Sequence, residues 1–299
     1  MSTSLTFDRY LERIEAGERL SADDIHALAS TPDILPLGML ADTLRRRIHA
    51  GRVTYLRVAP CAFDASFSDA VPPAAREIRI TGAPETLDAA IAAVKSARAV
   101  AGDRQVSGFS WADVERLAER RHDRVSGILD AWRDAGLDAI ARLPLDTMAE
   151  PSVAIDRLTA LGFQQLRLSV DRAPAEERVA LLLRAAELQD QFACIQALDP
   201  LPSVLNAFRP TTGYDDVKMV AVARLAAPHI PTIQVDWLRY GPKLAQVALT
   251  FGADDIDGVS SSDAAAEGRR RAPLEEIRRN IEAAGFEPAE RDGRFTVIA

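Results

Sequence analysis

The densest group of ionisable side chains is the run Asp254-Asp255-Ile256-Asp257-Gly258. Side chains two apart on a strand share a face, so Asp255 and Asp257 form a paired-carboxylate candidate. Turned inward, two neighbouring carboxylates raise one pKa and supply acid–base chemistry, or they grip ribose hydroxyls. These two are the candidate catalytic residues. The bland alternative is that one caps the next element and the other pairs with an arginine. Other polar residues fall at or just after the ends of expected strands: Arg57, Thr81, Ser110, Arg142, Asp171, Arg172, Asp199 and Asp236. Thr211 precedes a helix start at Thr212-Gly213-Tyr214-Asp215-Asp216, where Thr212 or Gly213 suits an N-cap and the two aspartates favour the helix dipole. With Cys61, the residues Arg57, Thr81, Ser110, Arg142, Asp171, Asp199, Thr211 and Asp236 are the ligand-binding candidates.

Several chemistries find no support. His26, His49, His122 and His229 are scattered, with neither H-x3-H nor H-E-x-x-H spacing, so no metal ligands are assigned. His26, His49 and His122 read as solvated or capping residues of outer helices, and His229 as a loop residue at the bottom of the fold. There is no G-x-S-x-G, P-loop or G-x-G-x-x-G signature. Cys194, in QFACIQAL, reads as a small buried hydrophobe. Cys61 sits on an expected loop and is the better candidate for reactivity, with inherited remnant as its alternative.

The net charge of −8 over 299 residues argues against nucleic acid and an anionic membrane surface. Two distant cysteines suggest no disulfide framework and a reducing, cytoplasmic setting. The N-terminus lacks a signal-peptide core, and no apolar run reaches the roughly eighteen residues of a membrane span.

These side chains need a frame. Capping patterns predict helices over the first fifty residues: Ser21-x-x-Asp24 has capping-box form, and Asp33 opens a helix to about His49 whose Arg45, Arg46 and Arg47 suit the dipole. From Val53, β-branched runs alternate with amphipathic helical runs. The expected strands are 53–58, 77–81, 105–109, 139–143, 165–170, 193–197, 232–236 and 255–258. Alternation of this kind means a parallel sheet, and eight strands fit a (β/α)8 TIM-type barrel; an open doubly wound sheet is the alternative. Residues 59–76 carry Pro60, Pro72 and Pro73 and no apolar period, so the first barrel helix is expected to be missing. The organisation is then a helical extension (1–50), a barrel (51–260), and a C-terminal helix with a short strand over Phe295–Ile298 (261–299), in one structural domain. Residues 264–272 read as a polar linker or lid.

Residues 210–258, PTTGYDDVKMVAVARLAAPHIPTIQVDWLRYGPKLAQVALTFGADDIDG, carry a family resemblance. The run resembles the C-terminal half of the barrel in the radical S-adenosylmethionine enzymes of futalosine-route menaquinone biosynthesis. These are aminofutalosine synthase and cyclic dehypoxanthine futalosine synthase, with deazaflavin-cofactor relatives. Residues 33–58 resemble that family's opening helix and first strand, 77–84 its second strand, 136–148 its A-G-L-D segment without the three glycines, and 173–202 the helix and strand before P-T-T-G. The family holds a [4Fe–4S] cluster on a C-x3-C-x2-C loop after the first strand. Here the chain reads Ala59-Pro60-Cys61-Ala62-Phe63, which aligns Cys61 with the last cysteine and has no counterpart for the other two.

The resemblance therefore implies a degenerate member: a radical-SAM-type barrel without cluster or S-adenosylmethionine, and a pseudoenzyme candidate. It would bind a small polar aromatic or nucleoside-like molecule at the C-terminal rim. Any catalysis would be non-radical, of lyase, hydrolase or isomerase type. A non-catalytic partner of an intact family enzyme is the alternative, with a homodimer also open. A cluster completed by unusual ligands or a second chain ranks last.

Overall fold

A computed structural model describes residues 2–64, 67, 71–122, 124–204, 208, 211–265 and 271–298. Three helices lead: α1 (Ser2–Ala16), α2 (Ala22–Ser30) and α3 (Ile34–His49). Ser21 and Asp24 form the expected capping box of α2, and Asp33 accepts from Leu35 N to cap α3. Arg46 and Arg47 lie in the last turn of α3 as expected, whereas Arg45 departs from expectation. Arg45 is fully buried, with its guanidinium 4.0 Å from the centroid of the Phe286 ring. Its position packs the helix onto the barrel and does more than complement a dipole.

The barrel strands are β1 (Arg52–Ala62), β2 (Glu77–Thr81), β3 (Gln105–Ser110), β4 (Ala139–Pro144), β5 (Leu166–Val170), β6 (Ile195–Pro202), β7 (Thr232–Asp236) and β8 (Asp255–Ser260). All neighbours pair parallel in sequence order, and β8–β1 with β1–β2 pairing closes the ring. The open-sheet alternative is therefore excluded. Between strands lie α4 (Leu87–Ala101), α5 (Trp111–Arg121), α6 (Val125–Asp134), α7 (Pro151–Ala160), α8 (Ala175–Phe192), α9 (Gly213–Ala226) and α10 (Trp237–Leu249). No helix is described between β1 and β2, as the prolines there required. Thr212 is the N-cap of α9, in a capping box with Asp215. Asp123, where a helix was expected to open, lies outside the described residues, as does most of the 264–272 linker. Among the described residues, no helix is long and apolar enough to cross a membrane.

After β8 come α11 (Pro273–Ala283) and β9 (Glu287–Glu290). The short terminal strand expected over 295–298 is instead this β9, with only an antiparallel bridge from Arg291 to Val297 farther on. β9 pairs with Arg52–Tyr55 of β1, while Val58–Ala62 of the same strand pairs with β2. The ninth strand thus wedges into the N-terminal end of the ring, where β1 and β2 part.

The tail beyond β9 closes that end. Arg291 clamps Asp255 with Nε–Oδ1 2.6 Å and Nη2–Oδ2 2.7 Å. Arg167 meets Glu77 at 2.7 Å and donates to the Gly293 carbonyl at 2.7 Å. The Phe295 ring lies 4.0 Å from Arg291 and 5.1 Å from Arg167. A Cβ on Gly293 would come within 2.5 Å of Gln105 Oε1, so only glycine passes there. The lower barrel is an ionic layer that must stay paired because it is dry.

Candidate functional site

The opposite, C-terminal end of the barrel is hollow. A cavity of about 400 Å³ opens there, walled by residues from β1 to β8. Function in barrels of this kind sits at that face, because the strand ends and following loops converge there while the other end is packed. Of the expected ligand residues, Thr81, Arg142, Asp199 and Asp236 line it, together with Asp257.

The floor is charged and satisfied. Arg79 holds Asp257 bidentately, at 2.6 and 3.0 Å, and reaches Glu77 at 2.7 Å. Arg79 keeps the Asp257 carboxyl far below its ordinary range despite burial. The arginines at 167 and 79 likewise draw Glu77 down to about 2. Asp257 is therefore a fixed anion. Asp255 faces the interior too, but one layer lower, where Arg291, Thr54 at 2.5 Å and Gln234 at 2.6 Å hold it away from the cavity. The two carboxylates share the inward face, yet they do not form a coupled acid–base pair, since each is clamped by its own arginine. Asp254 caps nothing catalytic: it binds Arg224 and the Ile233 N–H outside the ring.

The raised carboxyl is Asp199, on β6. Burial first, and the charge of Asp236 second, push it up to about 8. One oxygen accepts from Leu201 N at 3.1 Å, and the other has no protein partner among the described residues. Asp199 is beside Ser169 in strand register. The Ser169 hydroxyl is buried and unpartnered. Asp236 caps α10 by accepting from Arg239 N at 3.0 Å. Gly258, at φ 71°, lets that carboxylate approach: a Cβ there would lie 3.1 Å from Asp236 Oδ1. At the mouth, Arg142 and Arg239 are partly exposed and lie 3.5 Å from Asp171 and 3.7 Å from Asp236. Phe109 lines one wall with φ 58°, an unusual left-handed conformation for a bulky residue, held against Trp132 at 4.5 Å.

Other expected site residues lie elsewhere. Arg57 points outward and is bound by Glu290 at 2.9 Å and Asp263 at 3.2 Å, because alternation on β1 turns Val58 toward the cavity instead. Ser110 is spent in a capping box with Asp113. Thr211 hydrogen-bonds Asp216. Asp171 is second to the cavity: it accepts from the Ser203 hydroxyl and positions Arg142. Asp146, not singled out by sequence, fixes that turn by accepting from the N–H groups of Asp171, Arg172 and Ala173 at 2.7, 2.6 and 2.8 Å. Of the histidines, His122 caps α5, while His49 and His229 are tied to carbonyls of Pro231 and Ala186 at 2.8 and 2.9 Å. For His49 that is more than the solvated role expected of it.

The cysteines decide what this site can hold. Cys61 ends β1, is 2% exposed in the apolar core, and has its thiol pKa raised by burial. Cys194 sits just before β6, at the other end of the barrel, where burial raises its thiol too. Past Cys61, Phe63 lies over Gly82, so close that a Cβ there would be 2.8 Å from the ring. Two thiols at opposite ends do not furnish the three thiolates of a family cluster. Among the described residues, no group of three His, Cys, Asp or Glu side chains is placed to hold a metal ion.

Comparison with known proteins is consistent with the barrel. The family described as CofH/MqnC C-terminal region matches residues 197–298. Aminodeoxyfutalosine synthase of Thermus thermophilus is 26% identical, covering 96% of this chain and 94% of that protein. Its alignment spans 361 positions, so the relative carries stretches with no counterpart in these 299 residues. The 5-amino-6-(D-ribitylamino)uracil–L-tyrosine 4-hydroxyphenyl transferase of Archaeoglobus fulgidus is 36% identical over 136 residues, 41% of this chain but only 39% of its own length. Among solved structures, the [FeFe]-hydrogenase maturase HydG matches with TM-score 0.67 at 15% identity, covering 96% of this chain and 76% of that one. Methylornithine synthase PylB matches with TM-score 0.65 at 14% identity, over 94% and 97%.

Proposed function

We propose, from the premise that this chain belongs to the CofH/MqnC family of radical S-adenosylmethionine barrels, that it has given up the cluster and kept the ligand site. In this reading the cavity takes a small polar aromatic or nucleoside-like molecule. Phe109 and Leu238 offer apolar walls, and Arg142 and Arg239 offer positive charge at the mouth. Asp199, protonated at neutral pH, is a hydrogen-bond and proton donor beside the carboxylate of Asp236, whose charge helps to raise it. A neutral acid next to an anion is the arrangement acid–base catalysis uses. Any turnover would be non-radical, of lyase, hydrolase or isomerase type.

The observation that carries this reading is the pairing of an open 400 Å³ cavity, apolar over most of its wall but carrying several charged side chains, with two thiols at opposite ends of the barrel. The test joins two measurements on the full chain. Iron and acid-labile sulfide are quantified after anaerobic purification, and futalosine-type and chorismate-derived compounds are titrated by calorimetry. Iron-free protein that binds one of these classes supports the reading. Stoichiometric iron, or no binding to either class, refutes it.

A second reading, a non-catalytic partner of an intact family enzyme, has one observation in its favour. Leu35 and Met39, one turn apart on α3, are 70% and 69% exposed, which gives that helix a small apolar spot on its outer face. Co-purification with a cluster-bearing relative tests it, and a chain that stays alone at micromolar concentration opposes it.

A further inference from the structure

We infer that Asp199 and Ser169 together form a seat for an uncharged oxygen acceptor on the ligand, a ring carbonyl or amide oxygen. The inference rests on the reading of the cavity as a ligand site and says which chemistry its floor selects. Ser169 and Asp199 are register partners on β5 and β6, so their side chains stand about 5 Å apart on the cavity wall. The Ser169 hydroxyl is buried and has no partner. Buried hydroxyls are nearly always hydrogen-bonded, so an orphan facing a cavity marks a place where something else supplies the bond. Leu201 N occupies one Asp199 oxygen as a donor. The remaining oxygen is the one free to carry the proton and point it at a ligand.

The surroundings favour a neutral partner. Asp236 on β7, Asp257 on β8, and Arg239 and Tyr240 on α10 all act on Asp199 or feel its charge. Arg142 reaches the mouth from β4. The Arg178–Asp216 pair, 3.7 Å apart on α8 and α9, also acts on Tyr240. Asp257 is held by Arg79, and Asp236 by the α10 N-terminus and Arg239. With those anions already compensated, and Asp199 held near 8, the seat below that pH presents two hydrogen donors and no free anion. A cation finds nothing to pair with, whereas a carbonyl oxygen accepts from both groups.

The test uses the full chain and two probes small enough for the cavity, benzamide and the permanent cation benzyltrimethylammonium, followed by ligand-observed NMR. Benzamide is expected to bind at about pH 6 and to weaken about tenfold by about pH 9.5, as the donor is lost. The cation is expected to gain over the same interval. Asp199→Asn, which keeps a donor, should bind benzamide with little pH dependence, and Ser169→Ala should weaken it at both pH values. Should Asp199→Asn fail to fold, infrared spectroscopy of the unmodified chain reads the same point: a protonated carboxyl band at neutral pH that fades as pH rises through about 8. Equal benzamide affinity at both pH values, preference for the cation throughout, or no binding of either probe overturns the inference. If futalosine-type or chorismate-derived compounds still bind in calorimetry, only the carbonyl seat falls. If they fail too, the ligand-site reading falls with it.

Discussion

Replacing Asp199 with asparagine should make the protein more stable, and increasingly so as pH rises. The carboxyl has an ordinary value of 3.8 and is held at about 8 in the folded state. Between those values the folded chain keeps a proton that the unfolded chain releases, so stability falls with rising pH. The contribution is complete below 3.8 and is lost progressively until pH passes about 8. At pH 7 the folded protein works against about three pH units, at about 1.4 kcal/mol each, a ceiling of about 4 kcal/mol. Asparagine carries no such burden and keeps an oxygen for Leu201 N. It must still bury an amide, so a gain of about 2–4 kcal/mol at pH 7 and less than about 2 kcal/mol at pH 5 is expected. Urea unfolding of both proteins at several pH values reads the difference directly. A difference that is flat with pH, or an asparagine variant less stable at pH 8 than the parent, would refute the reasoning.

Three further outcomes follow from the ionic layer and the thiols. Arg291→Met leaves Asp255 buried without its partner and should cost about 3–5 kcal/mol in urea unfolding; a loss below about 1 kcal/mol would mean that the tail does not plug the barrel. Glu77 behaves oppositely to Asp199: its depressed value of about 2 stabilises the fold above its ordinary 4.5, and this support is lost as pH falls through about 2. Glu77→Gln should therefore be less stable at neutral pH and show a shallower acid limb in a pH series followed by circular dichroism. Cys61, buried with a raised pKa, should resist a disulfide reagent at pH 8 until the chain unfolds; rapid labelling of the native protein would contradict its placement in the core.

Much of the frame was legible because it is local. Alternating periodicity located the eight strands, Pro60 and the adjacent pair Pro72 and Pro73 argued against the first barrel helix, and none is described between β1 and β2, while the caps at Ser21, Asp33 and Thr212 are short-range chemistry. Alternation also put Asp255 and Asp257 on one face. Their partners were not visible, because Arg291 and Arg79 arrive from distant parts of the chain and turn both carboxylates into fixed anions. Asp199 was among the rim candidates, but its elevation comes from burial and from Asp236, neither of which is a local property. Arg57 was misplaced by a single step of alternation on β1. Arg79 and Ser169 were overlooked, although Arg79 shares an alternating face with Glu77 and Thr81 and was within reach of the same argument. The terminal strand was put too late because β9, at Glu287–Glu290, contains a proline and has no β-branched residue. It is a strand only because the splayed end of β1 offers it an edge.

Whether this barrel carries iron separates a cluster-free ligand site from a radical enzyme. Anaerobic expression and reconstitution with iron and sulfide, followed by metal analysis and a test for S-adenosylmethionine cleavage, addresses that most directly. The expected result is substoichiometric iron and no cleavage, in protein that remains folded. Near four irons per chain, with cleavage of S-adenosylmethionine, would contradict it.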